Sequence, residues 1–213
     1  MNYTHVIWDF NGTILDDMQI GLECVNLMLS KRGLRTVDGI EEYRRLFRFP
    51  IIDYYRLAGF DFDKDDYYTV LAPEWIRLYT ERMGNCGLCP EVADTISRVF
   101  NMGLPQVVLS ATEREQLVGQ LNVLGVRHYF HEVLGLDNIH AHSKAELAVR
   151  WKERNPEAVP LFVGDTEHDA ETARAIGADC VLYTGGHQAK ERLETCGYPL
   201  IHRLSDVWAL LKT

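Results

Sequence analysis

The sequence predicts an α/β fold: a parallel sheet with helices on both faces, interrupted once by an inserted helical domain. Three observations predict it. Five short apolar runs have the length of buried strands, and stretches of helical period separate most of them. One gap between runs is far longer than a crossover helix requires.

The runs are THVIWD (4–9), QVVLS (106–110), EVLGL (132–136), PLFVG (160–164) and DCVLYT (179–184). The helical stretches are VADTISRVF (92–100), EREQLVGQLNVLG (113–125), KAELAVRWKER (144–154) and DAETARAIG (169–177). Roughly 95 residues separate the first two runs, with helical patterns in MQIGLECVNLMLSKRG, IEEYRRLFRFPIIDYYRLAG and DDYYTVLAPEWIRLYTERMG and no buried strand expected among them. The expected division is a core of residues 1–15 plus 87–213 and a helical domain over 16–86, with GNCGLCP as the returning hinge.

Composition sets limits. At 213 residues the chain suffices for one core domain with a smaller insert. A formal charge of −9, with no basic block, disfavours a nucleic-acid surface. No apolar run approaches the roughly 18 residues that span a bilayer. MNYTHVIWDF has neither a basic leader nor a long apolar region, so no signal peptide is expected. Five scattered cysteines suit reduced thiols and a cytoplasmic location better than a disulfide framework. Cys86 and Cys89 form a CxxC, but no second ligand pair stands at zinc spacing.

In an open α/β sheet, ligands sit at the carboxyl ends of the strands. The segments to inspect are therefore Asp9–Thr13, Ser110–Thr112 and Gly164–Asp169. If Asp9, Asp165 and Asp169 converge, three like charges need compensation, and a hard divalent cation such as Mg²⁺ supplies it. Asp165 and Asp169 also suit helix capping. Ser110, at the expected start of a helix, has two readings, an N-cap or part of an anion cradle. Thr13 shares that ambiguity. Lys144 alone would be a solvated surface lysine; beside a metal site it becomes a second positive charge for an anion.

These residues spell a family. The chain resembles the haloacid dehalogenase superfamily of phosphohydrolases, in its phosphoglycolate-phosphatase-like branch with a helical cap, over nearly its whole length. The first motif appears as DFNGT (Asp9–Thr13), the second as Ser110 in VVLSAT, the third as Lys144, and the fourth as GDTEHD (Gly164–Asp169) continued by AETARAIGADCVLYTGG. The first and fourth are specific; the other two gain force from order and spacing. The resemblance implies a Rossmann-like core with the inserted helices as a cap that closes over a small phosphorylated metabolite. It implies that Asp9 attacks phosphorus and forms an aspartyl-phosphate, which water then hydrolyses. Mg²⁺ would be held by Asp9, the Asn11 carbonyl and Asp165, with Asp169 nearby. Thr13, Ser110, Ala111 and Lys144 would surround the phosphoryl group, Lys144 also holding the nucleophile.

Asn11 departs from the pattern. Phosphatases of this family usually carry Asp there, as the acid that protonates the leaving alkoxide. Asn cannot shuttle a proton, a loss of about 10²–10⁴ in rate. Three readings stay open: a slow or selective phosphatase suited to acyl or aryl phosphates, a non-catalytic binder of metal and phosphate, or a hydrolase of phosphonates or haloacids. Glu167, His168 and Asp16 are the nearest replacement acids in sequence. A phosphonate enzyme would want a cap lysine, and Lys31 and Lys64 are available. Arg44, Arg45 and Arg48 could hold a substrate carboxylate, although solvated surface positions suit any one of them better. Tyr54, Tyr55, Phe60, Phe62, Tyr67 and Tyr68 read as cap core rather than a stacking platform. A capped site that closes on itself needs no partner, so a monomer is expected.

Overall fold

The computed structural model describes residues 3–136 and 143–211. Its strands are β1 (His5–Trp8), β2 (Leu15–Asp16), β3 (Gly87–Leu88), β4 (Gln106–Glu113), β5 (Glu132–Leu136), β6 (Pro160–Gly164), β7 (Asp179–Tyr183) and β8 (Leu200–Ile201). Six of them form one parallel sheet in the order β5-β4-β1-β6-β7-β8. This is the Rossmann-like α/β arrangement the sequence predicts. β1 lies between β4 and β6, so the chain reverses direction across the sheet beside Asp9. An open sheet forms its ligand crevice at such a point.

The helices are α1 (Met18–Lys31), α2 (Gly39–Leu46), α3 (Ile51–Ala58), α4 (Ala72–Arg82), α5 (Val92–Asn101), α6 (Arg114–Val123), α7 (Lys144–Arg154), α8 (Glu167–Ala175), α9 (Lys190–Glu194) and α10 (Val207–Leu211). Both faces of the sheet are covered, as the continuous apolar runs require. Val6, Trp8, Val108 and Val163 point into a core with Val92 and Ile96 of α5 and Leu117 and Leu121 of α6. Their neighbours Ile7, Val107, Leu109 and Phe162 point the other way, against Ala148 and Trp151 of α7 and Ala170 and Ala173 of α8. Each large apolar side chain so buried contributes roughly 1.5–3 kcal/mol. Among the described residues no helix is long and apolar enough to cross a membrane.

The segment between β2 and β3 builds a core of its own, including Cys24, Val25, Met28, Tyr43, Tyr54, Tyr55 and Leu71. Four details differ from expectation. A short antiparallel pair, Leu15 with Leu88 and Asp16 with Gly87, ties the two chain crossings together. The run 40–59 is broken into α2 and α3 at Pro50, whose ring forbids the helical hydrogen bond and disfavours helix at Phe49. β8 is a two-residue edge strand too short to leave a pattern. Lastly, β4 runs on to Glu113 after a register shift, and Glu113 caps α6 by accepting from the Glu115 and Gln116 amides. Ser110 is therefore in a strand, not at a helix start.

Candidate active site

β1 and β6 are hydrogen-bonded neighbours, so Asp9 and Asp165, one residue past each, emerge side by side. Asp169 comes from the first turn of α8, where it completes a capping box with Thr166. Its Oδ2 accepts from the Asp165 amide (3.0 Å), the Thr166 amide (2.9 Å) and the Thr166 hydroxyl (2.7 Å). Capping thus leaves Oδ1 facing the crevice. Ligand atoms of Asp9, Asp165 and Asp169 all lie within 4.8 Å of one another, and all three residues are buried.

Lys144, first residue of α7, is buried and donates to both Asp9 Oδ1 and Asp169 Oδ1. Three carboxylates against one ammonium leave two negative charges, which a single divalent cation balances. The titration behaviour shows the same imbalance. Burial, then Asp169, pushes the Asp9 carboxyl well above the ordinary range despite Lys144. Burial, more than the repulsion from Asp169, also lifts Asp165 to about 6 against the pull of His187. Burial works the same way on Asp169, but Lys144 together with the Thr166 hydroxyl and amide outweighs it and holds that carboxyl low. For Lys144, burial opposes the charge and the two carboxylates overcome it, so it stays an ammonium. The donor set is all oxygen and all acidic, which fits a hard divalent metal.

Two glycines hold Asp165 in place. A side chain at Gly12, whose φ of +72° also suits glycine, or at Gly186 would overlap the Asp165 carboxylate. Gly186→Ala is expected to weaken divalent-cation binding by at least about 10-fold and to lower stability as well, because the added Cβ would overlap the Asp165 side chain down to its own Cβ and the loop must shift at the ligand itself. Titration calorimetry with Mg²⁺ checks this; an unchanged affinity refutes it.

The other residues singled out in the sequence are distributed as follows. The Thr13 hydroxyl donates to Asp165 Oδ1 (2.9 Å), so it steadies a carboxylate rather than facing an open site. The Ser110 hydroxyl donates to Thr112 Oγ1 (3.1 Å), which donates in turn to Asn11 Oδ1 (3.2 Å). Ala111 sits between them at the edge of a cavity. The Asn11 amide donates to Asp17 Oδ2 (2.8 Å) and to the Tyr79 hydroxyl (2.9 Å). None of the three replacement acids stands beside Asn11 through a hydrogen bond. Asp16 is exposed, Glu167 is taken by the Phe49 amide, Gln188 and Arg192, and His168 stacks on Phe49.

What stands beside Asn11 is a buried network that the sequence reading did not identify. Asp17 accepts from Asn11 and Tyr79 on Oδ2, and from the Gly12 amide (2.9 Å) and His187 Nε2 (3.0 Å) on Oδ1. The other ring nitrogen of His187 meets the Tyr43 hydroxyl (2.9 Å), and its amide donates to Asp165 Oδ2 (2.7 Å). Burial disfavours the His187 cation, but Asp17 and then Asp165 overcome it and raise the pKa to about 9. Burial likewise opposes ionisation of Asp17, and His187, with the hydrogen bonds from Tyr79 and Asn11, outweighs it, so the pair is ionic. One signal was available: His187 follows Gly185–Gly186 just past β7, another strand end.

The folded pKa of His187 lies above the ordinary value of 6.5. The pair therefore stabilises fully below pH 6.5 and is lost as pH rises through about 9. Metal-free protein should lose about 3 kcal/mol of unfolding free energy across that interval by urea titration, and His187→Gln should lack the slope. Parallel profiles for the two proteins would reject the ion pair.

The Arg44 guanidinium donates to the carbonyls of Gly185 (2.8 Å) and Gly186 (2.9 Å) and pairs with Glu41, so α2 is pinned to the loop carrying His187. Arg45 and Arg48 bond to backbone carbonyls of their own segment. Lys31 pairs with Glu74 and Lys64 with Asp61, both at exposed positions.

A family model for haloacid dehalogenase-like hydrolases matches residues 6–183. The phosphoglycolate phosphatase of Rhodobacter capsulatus is 27% identical over 190 residues, 86% of this chain and 85% of the relative. That of Synechococcus elongatus is 25% identical over 212 residues, 95% and 94% of the two chains. A haloacid dehalogenase-like hydrolase from Streptococcus pneumoniae shares the fold with a TM-score of 0.76 at 16% identity, over 98% of each chain.

Proposed function

Since the chain belongs to the haloacid dehalogenase-like hydrolases and is similar to phosphoglycolate phosphatases of that family, we propose that it is a Mg²⁺-dependent phosphatase acting on a small phosphate monoester through Asp9. The observation that carries this reading is the single ammonium of Lys144 shared by Asp9 and Asp169, with Asp165 alongside. A carboxylate nucleophile needs a positive neighbour to approach a phosphate dianion, and Lys144 supplies one at the attacking oxygen.

In this mechanism an Asp9 oxygen forms a bond to phosphorus as the bond to the leaving oxygen breaks, giving an aspartyl-phosphate. A divalent cation bound by Asp9, Asp165 and the Asn11 carbonyl, with Asp169 in support, would neutralise phosphoryl charge. Lys144 steadies Asp9 and the phosphoryl oxygens, while Thr13 and the His187 amide fix Asp165. Ser110 and Ala111 would border the phosphoryl group on the side of Asn11, with the Ser110 hydroxyl turned to Thr112. The helices over residues 16–86 act as a cap that shields this chemistry from water. Water then hydrolyses the acyl phosphate.

A second reading has its own observation. Asn11 is committed to Asp17 and Tyr79, so no acid is held at the leaving oxygen by that residue, which suits a metal- and phosphate-binding protein without turnover. The phosphonate reading loses support, because Lys31 and Lys64 are both paired at exposed positions. Phosphate release from a panel of aryl, acyl, sugar and carboxylate phosphates, with Mg²⁺ and with chelator, separates the first two readings. Metal-dependent release from any member supports the phosphatase; none from the panel favours the binder.

A further inference from the structure

A cavity of about 300 Å³ lies where the helices of residues 18–82 meet the core, with Asn11, Ala111 and Thr112 on its core side. Its walls include the rings of Tyr43, Phe47, Tyr54, Tyr55, Trp75 and Tyr79. The Trp75 and Tyr79 rings stack, with centroids 4.7 Å apart and planes 14° from parallel. Tyr54 and Tyr55 thus serve the cap core and a cavity wall together. The charged residues in the lining are Asp17 and His187, which pair with each other. Among the described residues no lysine or arginine lines it. Arg44, Arg45 and Arg48 are turned to backbone carbonyls instead.

This lining suits one class of occupant. A carboxylate would lose its water there and meet only a cation, His187, that Asp17 already neutralises, at a cost that burial beside a second carboxylate makes severe. A flat ring would gain apolar contact and stacking edges on several sides, in a volume at the small end of ligand pockets. The hydroxyl of Tyr54, a residue only 3% exposed, has no hydrogen-bond partner among the described residues and would meet a polar ring substituent.

We propose that the cavity receives an uncharged aromatic leaving group, so that the substrate is an aryl phosphate monoester. The proposal rests on the phosphatase reading and sharpens it. The Asp9–phosphorus bond forms as the phosphorus–oxygen bond to the ring breaks, and the electron pair stays on that oxygen. The group leaves as a phenolate and takes its proton from water. A phenol with a pKa near the ordinary tyrosine value of about 10 can depart unprotonated far more readily than an alkanol. The ring-lined cavity and the missing acid at Asn11 therefore favour the same substrate class by separate routes.

The test compares non-hydrolysable phosphonates, whose affinity does not depend on leaving-group basicity. Benzylphosphonate stands for phenyl phosphate, propylphosphonate for an alkyl phosphate and 3-phosphonopropanoate for phosphoglycolate. Titration calorimetry of the Mg²⁺-loaded protein should show benzylphosphonate binding about 10-fold or more tighter than either of the others. Trp75→Ala should remove most of that preference, weakening benzylphosphonate at least about fivefold more than propylphosphonate. Equal affinities, or tighter binding of 3-phosphonopropanoate, overturn the proposal even if the enzyme turns over some ester. Ring-selective binding with no phosphate release from phenyl phosphate supports the cavity assignment and sinks the phosphatase. No binding by any of the three overturns both.

Discussion

Asp9→Asn should abolish phosphate release, by more than about 10⁴-fold, and at the same time raise the melting temperature of the metal-free protein. The first effect follows from removing the nucleophile of the proposed mechanism, whose loss no neighbour repairs. The second follows from the site's charge balance. Burial and the adjacent Asp169 hold the Asp9 carboxyl well above its ordinary pKa, so its ionised form destabilises the fold at neutral pH. An amide of the same shape removes that repulsion and leaves Lys144 its contact with Asp169. A gain of about 1–2 kcal/mol corresponds to a rise of a few degrees for a chain of this length. Saturating Mg²⁺ should reverse the order, stabilising the wild type more than the variant. Scanning calorimetry with chelator and with Mg²⁺ checks both signs. A variant less stable than wild type under chelator would show that Asp9 is a structural partner of Lys144 rather than a poised reactive group.

The sheet was legible in the sequence because its strands are buried on both faces. Ile7 and Val6 serve opposite cores, so the run shows no polar interruption and cannot be confused with a half-exposed strand. The helical character of the long segment between β1 and β4 was legible for a different reason: the chain between Asp9 and Gln106 holds more helical pattern than one crossover can use. What the sequence hid were elements set by only two or three residues. β2, β3 and β8 are two-residue pairings, below the length at which side-chain period carries information. The extension of β4 past Ser110 depends on pairing with Leu136 of β5, a tertiary contact.

The acids and Lys144 were legible because each stands at a strand end or helix start in a family pattern. Asp17 and His187 were not, although they organise the surroundings of Asn11. Asp16 and Asp17 are identical in type and adjacent. Only the fold turns the first to solvent and buries the second against Tyr79 and His187. His187 lies 170 positions from its partner, a pairing no local reading can supply. The arginines of α2 mislead in the opposite sense: Arg44 has a cation's chemistry for a substrate, but its donors go to Gly185, Gly186 and Glu41.

Asn11→Asp should accelerate alkyl phosphates by roughly 10²-fold or more while barely changing aryl phosphates, with a loss of about 1–3 kcal/mol in stability. The amide of Asn11 sits 2.8 Å from Asp17 Oδ2, so a carboxylate there would face another carboxylate. Two acids at that distance cannot both ionise, and the pair keeps one proton to a higher pH than either alone. A proton so held beside the leaving oxygen is what an alkoxide requires and a phenolate does not. The same proton displaces Asp17 from its role as the counter-ion of His187, which is the origin of the stability cost. The rate with an alkyl phosphate should therefore fall as pH rises and the shared proton is lost, a limb absent from the wild type. Measuring kcat/KM against pH for an alkyl and an aryl phosphate tests the linkage directly. Equal acceleration of both substrates would mean that Asn11 limits metal or phosphate binding rather than protonation. No acceleration of either would mean that Asp17, not the missing acid, sets the chemistry at this position.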